Sequence, residues 1–146
     1  MSEIECQFPE FNPEDEEVRA ILEKNRIIAV VGLSTKTDRD SYRVAKYLQE
    51  RGYQIVPVNP RAEDILGEKC YANLKDIPFP VDIVDIFRKI DAIPPVVEEA
   101  IAIGAKVVWM QLGLAENESA RKAMAAGLQV VMNKCIKIEH SRYFSR

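Results

Sequence analysis

The segment between Gly32 and Arg43 carries a run of hydroxyl and cationic side chains that could do chemistry. Gly32 permits a tight turn and a close approach of the backbone to a ligand. The polar side chains that could bind a ligand here are Ser34, Thr35, Lys36, Thr37, Arg39, Ser41 and Arg43. Such donors, placed just before a helix, suit an anion such as a phosphate. The alternative interpretation is a solvated turn in which Asp40 or Ser41 caps the helix.

A second group of candidate ligands, Asn59-Pro60-Arg61, follows an apolar run. An amide, an apolar ring and a guanidinium suit an adenine edge and a ribose phosphate, because arginine binds phosphate in a bidentate manner. Many NAD-binding domains carry an acid here, and this chain does not. NADP and coenzyme A both bear a phosphate on the adenosine ribose, so either fits. A plain strand-ending turn with an exposed Arg61 is the alternative.

Alternating apolar runs and helical patterns must position these residues. The β-branched and apolar runs predict strands at residues 26–32, 53–59, 81–87, 107–113 and 128–132. Helical spacing and end signals predict helices at residues 12–24, 41–51, 94–103 and 117–126, with a short final helix after residue 133. The alternation predicts an α/β fold: a doubly wound, mainly parallel five-stranded Rossmann-like sheet with helices on both faces. Ligands of such sheets bind at the carboxyl ends of the strands.

Length and charge restrict the classes of function. A chain of 146 residues is expected to form a single domain over residues 1–146. A net charge of -3 argues against a nucleic-acid partner, and no apolar run approaches membrane-spanning length. The acidic N-terminus lacks a signal-peptide pattern, so a cytoplasmic location is expected. Cys6, Cys70 and Cys135 are far apart without a CxxC pair, which predicts reduced thiols and no metal site.

Five segments together resemble a known family. They are VVGLS at 30–34, SYRVAKYL at 41–48, GYQIVPVNP at 52–60, WMQLG at 109–113 and VVMNKCIKIEH at 130–140. They resemble the CoA-binding-domain family, whose small stand-alone members are similar to the N-terminal, CoA-binding part of the succinyl-CoA synthetase alpha subunit. The resemblance covers nearly the whole chain from about Asn12, whereas the loop at Gly32 matches neither GxGxxG nor the P-loop pattern.

The resemblance implies coenzyme A or an acyl-CoA as the ligand. By carry-over, the Gly32-Leu33-Ser34 turn and Ser41 would hold the pyrophosphate, and Asn59 and Pro60 would border the nucleotide. Further expected contacts are Arg61, where the synthetases have lysine, Phe87-Arg88 in a loop packing on the adenine, and Gln111 toward the pantetheine. Lys36, Arg39 and Arg43 are added from their charge and position. The WMQLG segment departs from the TEG-type segment of the synthetases.

Catalysis is not expected from these residues. The synthetases use a phosphorylated histidine on a second domain, and this chain has only His140, which is expected at the surface. Asp82 and Asp85 are expected to lie on solvated faces or to form charge pairs with helical residues. Cys135 follows the fifth predicted strand and could form a mixed disulfide with the coenzyme A thiol. A small buried thiol is the alternative for Cys135.

Three functions therefore compete. The first is a non-catalytic CoA-binding module, either regulatory or a partner for a separate catalytic subunit. The second is an NADP-binding redox enzyme or a redox sensor, and the third is an interaction protein whose pocket is vestigial. The absence of GxGxxG counts against the dehydrogenase, and the charged loop counts against a vestigial pocket. A homo-oligomer or an unidentified protein partner is compatible with the sequence.

Overall fold

The computed structural model describes residues 7–144, and a sheet of five parallel strands lies at its centre. The strands, in chain order, are β1 Ile27–Val31, β2 Gln54–Val58, β3 Asp64–Ile65, β4 Glu68–Lys69, β5 Ile83–Ile86, β6 Val107–Met110 and β7 Gln129–Val131. The helices are α1 Asp15–Lys24, α2 Asp40–Glu50, α3 Ile93–Ala102, α4 Asn117–Ala125 and α5 Ile136–Phe144. Cys6 lies outside the described residues.

The strand order of the central sheet is β2-β1-β5-β6-β7, and β3 pairs with β4 in a separate hairpin. The winding reverses between β1 and β5, because the chain passes from β1 to β2 on one side and then crosses to β5 on the other. Val31 is level with Val58 and with Ile86, so the carboxyl ends of these strands share one edge. The doubly wound parallel fold predicted from the sequence is confirmed.

Both faces of the sheet are covered, which explains the continuous apolar runs of its strands. One face packs against α3 and α4 through residues such as Val84, Val97 and Ala120. The other face packs against α1, α2 and α5 through residues such as Val30 and Leu48. The loops at the carboxyl edge are thus held by a sheet that is buried on both sides. Within residues 7–144, no helix is long and apolar enough to cross a membrane.

The first helix begins later than the sequence predicts. Asn12 does not cap it, because its side-chain amide donates to the Met132 carbonyl and its oxygen accepts from the Met132 N–H, both at 2.8 Å. Asn12 thereby pairs with the chain just after the edge strand β7. The hairpin β3–β4 was not predicted either, and its turn uses left-handed backbone at Leu66 and Gly67.

Two predictions about titratable residues were wrong. Asp85 is not solvated: it is fully buried in β5, and neither carboxylate oxygen has a hydrogen-bond partner among the described residues. This burial raises the pKa of Asp85 well above its usual range. His140 is not at the surface but buried, with its Nδ1 2.9 Å from the Tyr47 hydroxyl oxygen. Burial lowers the pKa of His140, and the charges of Arg51 and Arg26 lower it further.

Candidate ligand-binding site

Two cavities lie along the carboxyl edge of the sheet, and Arg88 lines both. The β2 pocket, of about 520 Å³, is bounded by the segments after β1 and β2, by residues 72–74 and by α3. The α5 pocket, of about 840 Å³, is bounded by α2, by the segments after β5 and β6 and by the start of α5. Since Arg88 follows β5, the cavities meet where the winding of the sheet reverses, which is where such folds bind ligands.

Gly32 brings the loops after β1 and β5 into contact. Its φ is +88°, and a Cβ built on it would lie 2.1 Å from the Phe87 carbonyl oxygen. Any side chain at this position would therefore push the two loops apart. The Ser34 N–H donates to Ser41 Oγ at 3.0 Å, and the Lys36 N–H donates to Ser34 Oγ at 3.0 Å. These hydroxyls fix the path of the loop toward α2.

The start of α2 is open to an anion. No side chain of the described residues caps this helix, whose N-cap position is Arg39. An uncapped first turn presents free N–H groups and the positive end of the helix dipole. Arg43 lines the α5 pocket, where its guanidinium donates to the Asp38 carbonyl at 2.6 Å and pairs with Asp40. Arg43 is therefore held at the mouth of this cavity by local contacts.

Asn59 joins the loops that follow β1 and β2. Its Nδ2 donates to the Leu33 carbonyl at 3.0 Å, and its Oδ1 accepts from the Arg61 N–H at 2.8 Å. Pro60 and Arg61 are exposed and line the β2 pocket beside it. Because both polar atoms of Asn59 have partners, its role within the protein is to position the turn that presents Pro60 and Arg61.

The segment after β6 supports the first turn of α5. Gln111 is buried, and its Oε1 accepts from the Ile136 N–H at 3.1 Å, so it satisfies one free donor at the start of the helix. The Trp109 indole N–H donates to the Lys134 carbonyl at 2.8 Å. These contacts place Cys135, which is half-buried, in the wall of the α5 pocket.

Most of the residues that the sequence predicts to contact the ligand line one of the two cavities. Those that line the β2 pocket are Gly32, Leu33, Ser34, Asn59, Pro60, Arg61 and Arg88. Those that line the α5 pocket are Arg43, Phe87, Arg88 and Gln111, so Phe87 lies away from the cavity that holds Asn59. Lys36 and Arg39 are exposed and line neither cavity, and Ser41 is buried behind the loop.

Sequence reasoning missed several lining residues. In the α5 pocket they are Lys89, Leu112, Leu114, Lys137 and Ile138, and in the β2 pocket they include Glu99, Pro95 and Val96. Lys89 could have been found, because it follows Arg88 directly in a segment that begins at the carboxyl end of a strand. No sequence pattern indicated that residues of α5 and α3 would line the pockets, because their position depends on how the helices pack.

Comparison with known proteins identifies relatives over most of the chain. A family model described as "CoA binding domain" matches residues 26–141. The uncharacterized protein YneT of Bacillus subtilis is 42% identical over 130 residues, which cover 89% of this chain and 96% of YneT. A solved hypothetical protein from Pyrococcus horikoshii OT3 is 45% identical, with a TM-score of 0.88 over 95% of this chain and 98% of that protein.

Part of the chain also matches larger proteins. Acetate–CoA ligase (ADP-forming) II of Archaeoglobus fulgidus is 35% identical over 81 residues, which are 54% of this chain but 12% of the ligase. The apo structure of the dinucleotide forming acetyl-coenzyme A synthetase 1 from Ca. Korarchaeum cryptofilum is 26% identical, with a TM-score of 0.66, and covers 74% of this chain and 26% of the synthetase. The family resemblance drawn from the sequence is thus confirmed: the chain belongs to the CoA binding domain family.

Proposed function

We propose that this protein binds coenzyme A along the carboxyl edge of its sheet, without catalysing a reaction by itself. The nucleotide occupies the β2 pocket, and the pantetheine arm enters the α5 pocket. The observation that carries this proposal is the pair of cavities that meet at Arg88 where the sheet reverses its winding. A long ligand with one polar, anionic end and one apolar arm matches two such cavities joined by a cation.

The β2 pocket offers the groups that a phosphorylated adenosine needs. Pro60, Pro95 and Val96 supply apolar surface for the base. Arg61, which Asn59 positions, is exposed at the rim and is assigned to the ribose phosphate. NAD lacks this phosphate, so the Arg61 contact favours coenzyme A over NAD.

The pyrophosphate is assigned to the region between the cavities. Ser34, Arg88 and the uncapped start of α2 supply hydroxyl, guanidinium and backbone donors there. Gly32 lets the loop that carries Ser34 pack against the Phe87 carbonyl, which holds this loop beside Arg88. Lys36 and Arg39 are assigned a general attraction for the polyanion, since they stand outside both cavities, and Arg43 adds a cation at the mouth of the α5 pocket.

The α5 pocket suits the pantetheine arm. Leu112 and Ile138 are exposed apolar side chains on its rim, and Leu114 and Phe87 add further apolar surface. Gln111 lies in the same wall, with its amide nitrogen as the remaining donor once Oε1 has accepted from α5. The wall of this pocket combines apolar surface with the charged side chains of Arg43, Arg88, Lys89 and Lys137, and small-molecule sites combine apolar walls with polar groups that orient the ligand.

Calorimetric titration of ligand-free protein with coenzyme A, acetyl-CoA, NADP and NAD tests the proposal. Binding of coenzyme A with little or no binding of NAD is the expected result. Binding of NADP in preference to coenzyme A would overturn the proposal and favour a redox enzyme. Absence of binding to all four compounds would also overturn it and would leave a vestigial pocket.

The role of Arg61 is tested with dephospho-CoA, which lacks the ribose phosphate. Arg61→Ala is expected to weaken coenzyme A by about 1–3 kcal/mol, because a charged hydrogen bond is lost, and to leave dephospho-CoA nearly unchanged. Lys36→Ala is the matched control: it removes a loop cation outside both cavities and should affect the two ligands equally. Equal losses of both ligands in Arg61→Ala would show that Arg61 does not contact the ribose phosphate.

A second candidate function is redox sensing through Cys135, which lies in the wall of the α5 pocket. The Cys135 thiolate would attack one sulfur of coenzyme A disulfide, forming a protein–CoA disulfide and releasing the other coenzyme A as a thiolate that takes up a proton. Intact protein treated with coenzyme A disulfide should gain the mass of one coenzyme A. Cys70→Ser should retain the adduct, because Cys70 is buried outside this pocket, and Cys135→Ser should lose it. No adduct on the unmodified protein, or an equal adduct on Cys135→Ser, would exclude this role.

A further inference from the structure

Glu99 is an unexpected carboxylate in the wall of the β2 pocket. It lies half-buried on α3, and its Oε1 accepts from the Leu74 N–H at 3.0 Å. Among residues 7–144, its second oxygen has no hydrogen-bond partner and no cation lies within 4.0 Å of it. An ionised carboxylate is an acceptor only, so this oxygen can accept a hydrogen bond from a donor group of a bound ligand.

Phosphate groups cannot supply that donor, because a carboxylate repels them. Of the groups assigned to this pocket, the adenine base and the ribose carry hydrogen-bond donors. Pro95, Val96 and Glu99 lie at i, i+1 and i+4 on the same helix, and all three line the pocket. The carboxylate is therefore grouped with the apolar surface that suits a base, whereas Arg61 extends from the segment after β2.

We propose that Glu99 accepts a hydrogen bond from the exocyclic amine of the adenine and so selects adenine against bases with a carbonyl oxygen at that position. The inference rests on the proposed binding of coenzyme A and names the group that reads its base. If a carbonyl oxygen replaced the amine, this oxygen and the Glu99 oxygen would face each other as two hydrogen-bond acceptors with no proton between them.

Glu99→Gln separates this role from a structural one. A glutamine has a single side-chain oxygen, and the Leu74 N–H holds that oxygen in the same place. The side-chain amide N–H groups then face the cavity and suit a carbonyl oxygen rather than an amine. Glu98→Gln is the matched control, because Glu98 is the preceding residue of α3, is exposed and does not line the pocket.

The test compares coenzyme A with its analogue in which hypoxanthine replaces adenine, by titration calorimetry. The unmodified protein is expected to bind coenzyme A roughly ten- to a hundred-fold more tightly than the analogue. Glu99→Gln should abolish or reverse this preference while keeping the thermal midpoint of the unmodified protein. Glu98→Gln should keep the preference.

The outcomes distinguish failure of the inference from failure of the proposed function. Equal binding of both compounds to the unmodified protein would overturn the role of Glu99 and leave coenzyme A binding in place. An equal loss of both compounds in Glu99→Gln would also overturn it, since a structural role weakens both. If the unmodified protein binds neither compound, both proposals fall. Equal binding of both compounds by the unmodified protein excludes the role of Glu99 even if a variant does not fold.

Discussion

Replacement of Asp85 by asparagine is expected to stabilise the protein by an amount that increases with pH. Asp85 is fully buried, and no residue in the described part of the chain offers its oxygens a hydrogen bond. Because burial raises the pKa of Asp85, the folded protein retains a proton that the unfolded chain releases. The contribution of this group to stability is therefore greatest below its unfolded-state pKa near 3.8 and decreases as pH rises toward the folded-state pKa.

The magnitude follows from proton linkage. For each pH unit between the unfolded-state and folded-state pKa values of Asp85, the free energy of unfolding decreases by about 1.4 kcal/mol. Asparagine does not ionise, so the advantage of Asp85→Asn should grow by about 1.4 kcal/mol per pH unit in that window. Asp85→Leu keeps the branching and removes both unsatisfied oxygens, which adds about 1–3 kcal/mol at every pH.

Urea unfolding of ligand-free protein at pH 5, 6 and 7 measures these differences. Asp91→Asn is the control, because Asp91 is exposed at the start of the segment leading into α3 and its replacement should change stability by less than about 0.5 kcal/mol. A gap between Asp85→Asn and the unmodified protein that stays constant with pH would refute the reasoning. Destabilisation by Asp85→Asn would also refute it, since that result requires a charged and compensated carboxylate.

Two further predictions concern the backbone and the buried histidine. Gly32→Ala should lower the free energy of unfolding by more than about 2 kcal/mol, measured by urea unfolding. Gly67→Ala, which shares the positive φ but has open space around the new Cβ, should cost less, and equal losses would show that the collision contributes nothing. The lowered pKa of His140 means that its contribution to stability should decrease as pH falls below about 6.5, because only the unfolded chain then binds the proton. In urea unfolding between pH 7 and pH 5, the unmodified protein should therefore lose stability relative to His140→Gln as pH falls, and a difference that stays constant with pH would assign the effect to another group.

The fold and one half of the site could be predicted from the sequence because they depend on local patterns. The run at Ile27–Val31 is apolar and β-branched, so its identity as a buried parallel strand follows directly. The carboxyl-end rule then places Ser34, Asn59 and Arg61 on one edge without knowledge of packing, and the structure brings all three into the β2 pocket.

The other half depends on tertiary packing that the sequence does not encode locally. The tail that carries Cys135, Lys137 and Ile138 reads as a short helix, and only the contacts of Gln111 and Trp109 with its first turn place it over the α5 pocket. Asp85 was misjudged for a different reason. A charged residue type favours exposure to solvent, and the prediction followed that preference. The run Ile83–Ile86 is, however, a strand covered on both faces, where each side chain is buried.

The two cavities differ in when their parts become available during synthesis. The lining residues of the β2 pocket all fall between residues 31 and 99, whereas the α5 pocket requires residues as late as 138. A chain growing on the ribosome therefore carries every contact assigned to the nucleotide before it carries the wall assigned to the pantetheine arm. Helix α5, which contacts Gln111, is the last helix of the described residues to be synthesised, so the second cavity can be completed only after this helix has emerged.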